Sequence, residues 1–147
     1  MSDLIKKYPC YIKGVEQKVP NVQPGTPIYA NCVRVGNLLF ISGMTAQSFD
    51  SGVCEGTTAE EQTRTCYGKM KQVLENAGSS LDNLVRTLIL FQNIYRDYKA
   101  VRTTEYEFFK ENAPSLIDAP CGSTVLQASL ARPEFLVEIE AIAVVED

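Results

Sequence analysis

Residues 136–145 read Leu-Val-Glu-Ile-Glu-Ala-Ile-Ala-Val-Val, and no other stretch restricts the fold of this chain as much. Alternate positions of a strand point to opposite faces of a sheet. One set, Val137, Ile139, Ala141, Ala143 and Val145, is wholly apolar and suits a dry core. The other set is Leu136, Glu138, Glu140, Ile142 and Val144. It is neither a solvent face nor a dry one, because two carboxylates stand side by side among branched apolar residues. Helices packed on one side of a sheet leave its second side bare. A second side this apolar calls for a partner. The pattern therefore predicts a closed oligomer whose subunits meet through sheet faces, with pockets between them.

The remaining elements fit around that strand. At 147 residues the chain is the size of one domain, and 45% hydrophobic with 22% charged residues is globular composition rather than disorder. Residues 1–28 hold four prolines and two glycines and are expected to form an irregular lead-in. Residues 29–35 and 38–43, joined by Gly36-Asn37, predict a hairpin. A polar loop over 47–57 is followed by Thr57 and Thr58, each with a glutamate three residues on, the spacing of a capping box. Cys66, Met70, Val73, Leu74 and Ala77 then recur at helical intervals, and Gly78 can close the helix in the left-handed conformation, so a helix is placed at 58–77. Residues 84–91 are apolar on both faces apart from Arg86 and Thr87, which predicts a strand covered on both sides. A second helix is expected over 97–112, with Tyr98, Val101, Phe108 and Phe109 inward and Pro114 as its stop. Strands at 123–130 and 136–145 complete a β-β-α-β-α-β-β order, an α+β domain with two helices on one face of a mixed sheet.

Composition removes several functions. The chain has no histidine, which excludes His-based triads, imidazole bases and His-ligated zinc. A net charge of −4 argues against a nucleic-acid partner. Residues 1–22 are charged and Pro-broken, without the apolar core of a secretory leader, and no apolar run is long enough to span a bilayer. The cysteines, Cys10, Cys32, Cys54, Cys66 and Cys121, are odd in number and form no CxxC. Reduced thiols in a cytoplasmic protein are expected, with no metal and no cofactor.

Four segments resemble one family in order. They are residues 35–43 (Val-Gly-Asn-Leu-Leu-Phe-Ile-Ser-Gly), residues 60–64 (Glu-Glu-Gln-Thr-Arg), residues 75–82 (Glu-Asn-Ala-Gly-Ser-Ser-Leu-Asp) and residues 137–141 (Val-Glu-Ile-Glu-Ala). Over about residues 29–147 the chain resembles the Rid family, the reactive-intermediate deaminases. That resemblance implies a chorismate-mutase-like fold, a homotrimer, and sites in the clefts between subunits. It implies hydrolysis of short-lived enamines and imines, such as 2-aminoacrylate or 2-aminomuconate, to an oxo acid and ammonia. Relatives have also been labelled ribonucleases, which the acidic charge here makes unattractive.

By the same resemblance, Glu138 positions the attacking water, Tyr29 is the tyrosine that opens the first strand, and Ser42 and Gly43 form the pocket wall. The family's substrate-clamping arginine lies in a Pro-x-Arg-Ser segment. Here that segment is Pro120-Cys121-Gly122-Ser123, so Gly122 stands where the arginine is expected. Arg96, in the loop expected before the second helix, is a candidate replacement.

Imine hydrolysis asks only for a held water, a proton source at nitrogen and a fixed substrate. A glutamate in an apolar cleft suits the proton work, and Glu140 on the same face raises its pKa by like-charge repulsion. Each assignment has a structural competitor. Glu138 and Glu140 serve equally as interface ion-pair residues, Tyr29 as packing, Arg96 as a solvated helix-start charge, Cys121 as a small buried residue and Gly122 as a close-approach glycine. Three explanations of the missing arginine stay open: Arg96 clamps instead, the substrate differs, or the site is a non-catalytic one for a small metabolite or a partner protein.

Overall fold

A computed structural model of the chain describes residues 3–12, 15–17 and 24–146. Among these residues, strands β1 (Ile5–Tyr8), β4 (Cys32–Val35), β5 (Leu38–Met44), β6 (Leu84–Phe91), β7 (Gly122–Gln127) and β8 (Val137–Val144) form one sheet in the order β1-β4-β5-β8-β6-β7. The strands β2 (Cys10–Ile12) and β3 (Val15–Gln17) form a separate hairpin. The β6–β7 pair is parallel and the other pairs of the large sheet are antiparallel. Helices α1 (Ala59–Asn76) and α2 (Ile94–Asn112) lie against one face, and a single turn, α3 (Ser115–Asp118), follows Pro114.

The sheet hairpin turns at Gly36-Asn37 as expected, with Gly36 at φ 59°. The lead-in is not irregular throughout. β1 pairs with β4, from Ile5 opposite Val35 to Tyr8 opposite Cys32, and β2 and β3 pair with each other. The prolines and glycines of that segment punctuate short strands rather than abolishing them. Residues 1–2, 13–14 and 18–23 of the lead-in lie outside the described residues.

Helix α1 matches its sequence signals closely. Thr58 caps it, accepting from the Glu61 N–H at 3.2 Å, while the Glu61 carboxylate accepts from the Thr57 N–H at 3.1 Å. At the other end Gly78 adopts φ 83°, and the Ser79 N–H reaches the Leu74 carbonyl at 2.8 Å, a Schellman closure. Helix α2 starts three residues before the expected position, because Asn93 caps it by accepting from the Arg96 N–H at 3.1 Å. Its inner stripe differs at three positions. Tyr98 is 44% exposed, and Asp97 and Thr104 are buried beside Val101, Phe108 and Phe109.

The core lies between the helices and one sheet face. Val137, Ile139, Ala141 and Ala143 of β8 meet Leu39, Ile41 and Met44 of β5 and Ile89 and Phe91 of β6. Cys66, Tyr67, Met70 and Leu74 of α1 cover them. Full burial of such side chains stabilises by roughly 1.5–3 kcal/mol each. Buried Gln62 ties α1 to the approach of β8: its amide donates to the Glu134 carbonyl at 2.8 Å and accepts from the Leu136 N–H at 2.8 Å.

The opposite sheet face carries no helix or strand layer among the described residues. Phe40 is 43%, Leu38 42% and Leu126 45% exposed, and Leu88, Leu90, Ile142 and Val144 are half-buried. β6 is therefore covered on one side only, where two covered sides were expected. Among the described residues, the apolar side chains on that side are left partly exposed.

Candidate active site

β5 and β8 fall out of step between Ile41 and Met44. Ile41 opposes Ala141 and Met44 opposes Ile139, so Ser42 and Gly43 together face the single residue Glu140. Such a bulge redirects neighbouring side chains. It places the bare α-carbon of Gly43 under the Glu138 side chain, where an added Cβ would lie 2.9 Å from Glu138 Cδ and 3.1 Å from its Cγ. Glu138 is half-buried on the open, largely apolar face, opposite Leu90 of β6.

This setting raises the Glu138 pKa above the ordinary glutamate value. Burial contributes most and the neighbouring Glu140 charge adds to it, while Lys69 opposes both. The Lys69 ammonium donates to the Thr45 carbonyl at 2.8 Å and sits 4.5 Å from the centre of the Phe49 ring. Glu140 is exposed and faces Leu88.

Ser42 fixes the chain just before β4. Its hydroxyl donates to the Ala30 carbonyl at 2.6 Å and its N–H to the Asn31 carbonyl at 3.0 Å. The adjoining Tyr29 is 61% exposed and Ile28 81% exposed, so this corner presents an apolar arm to the surroundings. Ser42, Gly43 and Glu138 thus belong to one corner of the sheet, and Tyr29 lies in the segment that Ser42 holds beside it.

Gly122 lies elsewhere on that face. It pairs with Arg86, whose β8 neighbour is Ile142, whereas Glu138 pairs with Leu90. Four residues along the strands and two strand spacings across separate Gly122 from Glu138, about 13 Å by roughly 10 Å. The two cannot share one ligand within a single copy. A Cβ on Gly122 would meet the Val85 carbonyl at 3.5 Å, an ordinary contact, so backbone crowding does not demand glycine there.

Cys121 and Arg96 stand apart from both places. Cys121 lines a cavity of about 300 Å³ with Thr87, Arg102 and Phe109, on the helix side of the sheet and opposite to Gly122. Burial raises its thiol pKa, with the Glu105 charge second. Arg96 is within the first turn of α2 rather than in a loop, and its guanidinium holds the Asp97 carboxylate through two hydrogen bonds of 2.9 and 2.8 Å. It lines a shallow depression with Thr58, Glu60 and Leu136, away from Gly43 and Glu138.

A partly buried polar network behind Cys121 has no simple sequence signature. The Tyr67 hydroxyl donates to Glu105, Arg102 joins Glu105 at 2.8 Å, and Arg102 and Thr87 reach the Ser123 hydroxyl at 3.2 and 3.0 Å. These residues come from α1, α2, β6 and β7, and only the tertiary fold unites them. A larger cavity, about 540 Å³, opens beside α1 near Tyr8, Asn31, Phe49 and Lys69; Glu138 and Gly122 do not line it. Among the described residues no group of three or more Cys, Asp or Glu side chains is placed to hold a metal ion, and no helix is long and apolar enough to cross a membrane. Cys32, Cys54, Cys66 and Cys121 are free thiols.

Two helices on one face of a mixed sheet, with the other face open, define an α+β protein of the chorismate-mutase-like class. Among solved structures, the Rid-family protein YyfA of Yersinia pestis, a protein of unknown function, shares this fold with a TM-score of 0.69 and 27% identity over 80% of this chain and 87% of its own. The family model for endoribonuclease L-PSP matches residues 22–145, and the chain belongs to that family, the YjgF/RutC/Rid proteins. The 3-aminoacrylate deaminase RutC of Acinetobacter baylyi is 27% identical over 115 residues, 78% of this chain and 85% of the relative. A RutC family protein of Pasteurella multocida is 33% identical over 117 residues, 79% of this chain and 86% of the relative.

Proposed function

We propose that the protein hydrolyses a reactive enamine or imine, of the 2-aminoacrylate or 2-aminomuconate type, to the corresponding oxo acid and ammonia. The observation that carries this reading is the Glu138 carboxylate seated over Gly43 with a raised pKa on an apolar face. The deaminase named among the relatives supports the same chemistry.

An enamine first takes a proton from solvent at carbon and becomes an iminium ion, the protonated form of the imine. Glu138 then accepts a proton from water as the water oxygen bonds to the imine carbon. The protonated Glu138 returns that proton to nitrogen, the C–N bond breaks with loss of ammonia, and the hydroxyl proton leaves as the carbonyl forms. Tyr29 donates to the developing charge, Ser42 and Gly43 form the wall, and burial, helped by the Glu140 charge, keeps the Glu138 pKa high.

In this reading three copies meet through the open sheet faces in a cytoplasmic homotrimer. The exposed Phe40, Leu38 and Leu126 support it. So does the distance between Glu138 and Gly122, because the two corners can converge on one ligand only when different copies supply them. Arg96, held by Asp97, and Cys121, on the other face, are left out of the site.

The test is ammonia release from freshly generated 2-aminoacrylate and 2-aminomuconate, compared with Glu138→Ala protein of unchanged solution mass. Turnover by wild type and its loss in the variant are expected. Equal inertness of both proteins overturns the reading. Gly122 favours a second one, a non-catalytic trimer that binds a small metabolite or partner protein. Activity that appears only in Gly122→Arg protein selects it.

A further inference from the structure

Arg86 is the one charged side chain of β6. It follows a second irregularity in the sheet, where Leu84 opposes Ala143 but Arg86 opposes Ile142, so that an extra residue precedes it. Its side chain points to the open face with Leu88 and Leu90, since the intervening Thr87 and Ile89 are buried on the helix side. Every other arginine among the described residues, at positions 34, 64, 96, 102 and 132, donates a hydrogen bond. Among the described residues Arg86 has neither an ion pair nor a side-chain hydrogen bond. Its cross-strand neighbours are Ile142 and Gly122, which carry no charge. Glu140, opposite Leu88, is one diagonal step away and within reach of long side chains, yet the two are not joined.

Arg86 is exposed in the single copy; once the trimer proposed above covers this face, its guanidinium needs an anion, because an unpaired buried charge is strongly unfavourable. Gly122 supplies no side chain to the volume beside Arg86. The two α-carbons are register partners on adjacent strands, about 5 Å apart, so the Arg86 fork reaches the space a side chain at 122 would have used. We infer that Arg86 is the carboxylate-binding residue of this protein, holding the carboxylate of a short 2-imino or 2-oxo acid in the cleft that Gly122 leaves open. The inference rests on the deaminase reading above for the class of ligand. The planar, bidentate match of guanidinium to carboxylate supplies the selectivity.

The experiment is calorimetric titration of the assembled protein with 2-oxobutyrate, a stable analogue of the product class, alongside turnover of the imino acid. Arg86→Gln should weaken binding about ten- to a hundredfold with solution mass unchanged. Adding Gly122→Arg to Arg86→Gln should recover most of the affinity, because it returns a guanidinium to the same space. Unchanged affinity in Arg86→Gln, or no binding by wild type, overturns the inference. If Arg86→Gln dissociates, Arg86→Lys decides: an assembled protein with weaker binding supports the clamp, and one with unchanged affinity overturns it. Wild type that binds through Arg86 but releases no ammonia upholds Arg86 and removes the deaminase reading.

Discussion

Gly43 and Glu138 occupy complementary halves of one space. The glutamate side chain lies where a Cβ on residue 43 would have to be, within 2.9 Å of Cδ. Gly43→Ala should therefore displace the carboxylate without disturbing the strand, because the obstructed atoms end a flexible side chain. A fall of about a hundredfold in kcat/KM is expected, the scale of an ångström-sized misplacement. The thermal midpoint should hold or rise slightly, since alanine loses less chain entropy than glycine in a strand. A fully active Gly43→Ala protein would detach Glu138 from the chemistry.

Glu138 also gives a pH signature. Its pKa is higher folded than unfolded, so its contribution to stability is complete below the unfolded value and is lost as pH rises through the folded one. Glu138→Gln should accordingly be the more stable protein near pH 8, and the gap should close in acid below the ordinary carboxylate range. The side chain is half-exposed and solvent screens the effect, so a small shift is expected in paired melts across pH. Wild type more stable at pH 8 would mean that Glu138 is ion-paired. The acid limb of the activity profile should likewise lie above the usual glutamate range.

Gln62 should be a stability residue with no part in turnover. Gln62→Leu leaves the Glu134 carbonyl and the Leu136 N–H without their partner, at a cost of about 2–3 kcal/mol. Denaturant unfolding measures this. A loss below about 0.5 kcal/mol would show that water replaces the amide.

The thiols should divide by burial. Burial pushes Cys32 up to about 11 and Cys66 up to about 12, so both are almost wholly protonated at pH 8. Mass spectrometry after brief alkylation should find Cys54 and Cys121 modified well before Cys32 and Cys66. Early labelling of Cys66 would indicate that α1 opens readily.

Arg96→Ala should leave KM for an anionic substrate unchanged. The guanidinium is committed to Asp97 at 2.8 Å, on the helix side of the sheet. A severalfold rise in KM would return Arg96 to the site.

Local patterns determined much of this molecule. The Gly36-Asn37 turn, the Thr58 cap and the Gly78 closure each depend on a few adjacent residues, and each formed where its residues indicated. The alternation in β8 showed which side of that strand is core, because a strand has only two sides. Asn93, also a local signal, starts α2 early and takes Arg96 out of the loop assigned to it. What the chain order could not show is register. The pairing of Arg86 with Gly122, the bulge that brings Gly43 under Glu138, and the separation of Cys121 from Gly122 onto opposite faces all depend on how distant strands slide past one another. A slip of a single residue would send every such side chain to the other face. Residue types and their spacing thus set the elements and the chemistry available, while the long-range packing of the sheet decided which groups meet.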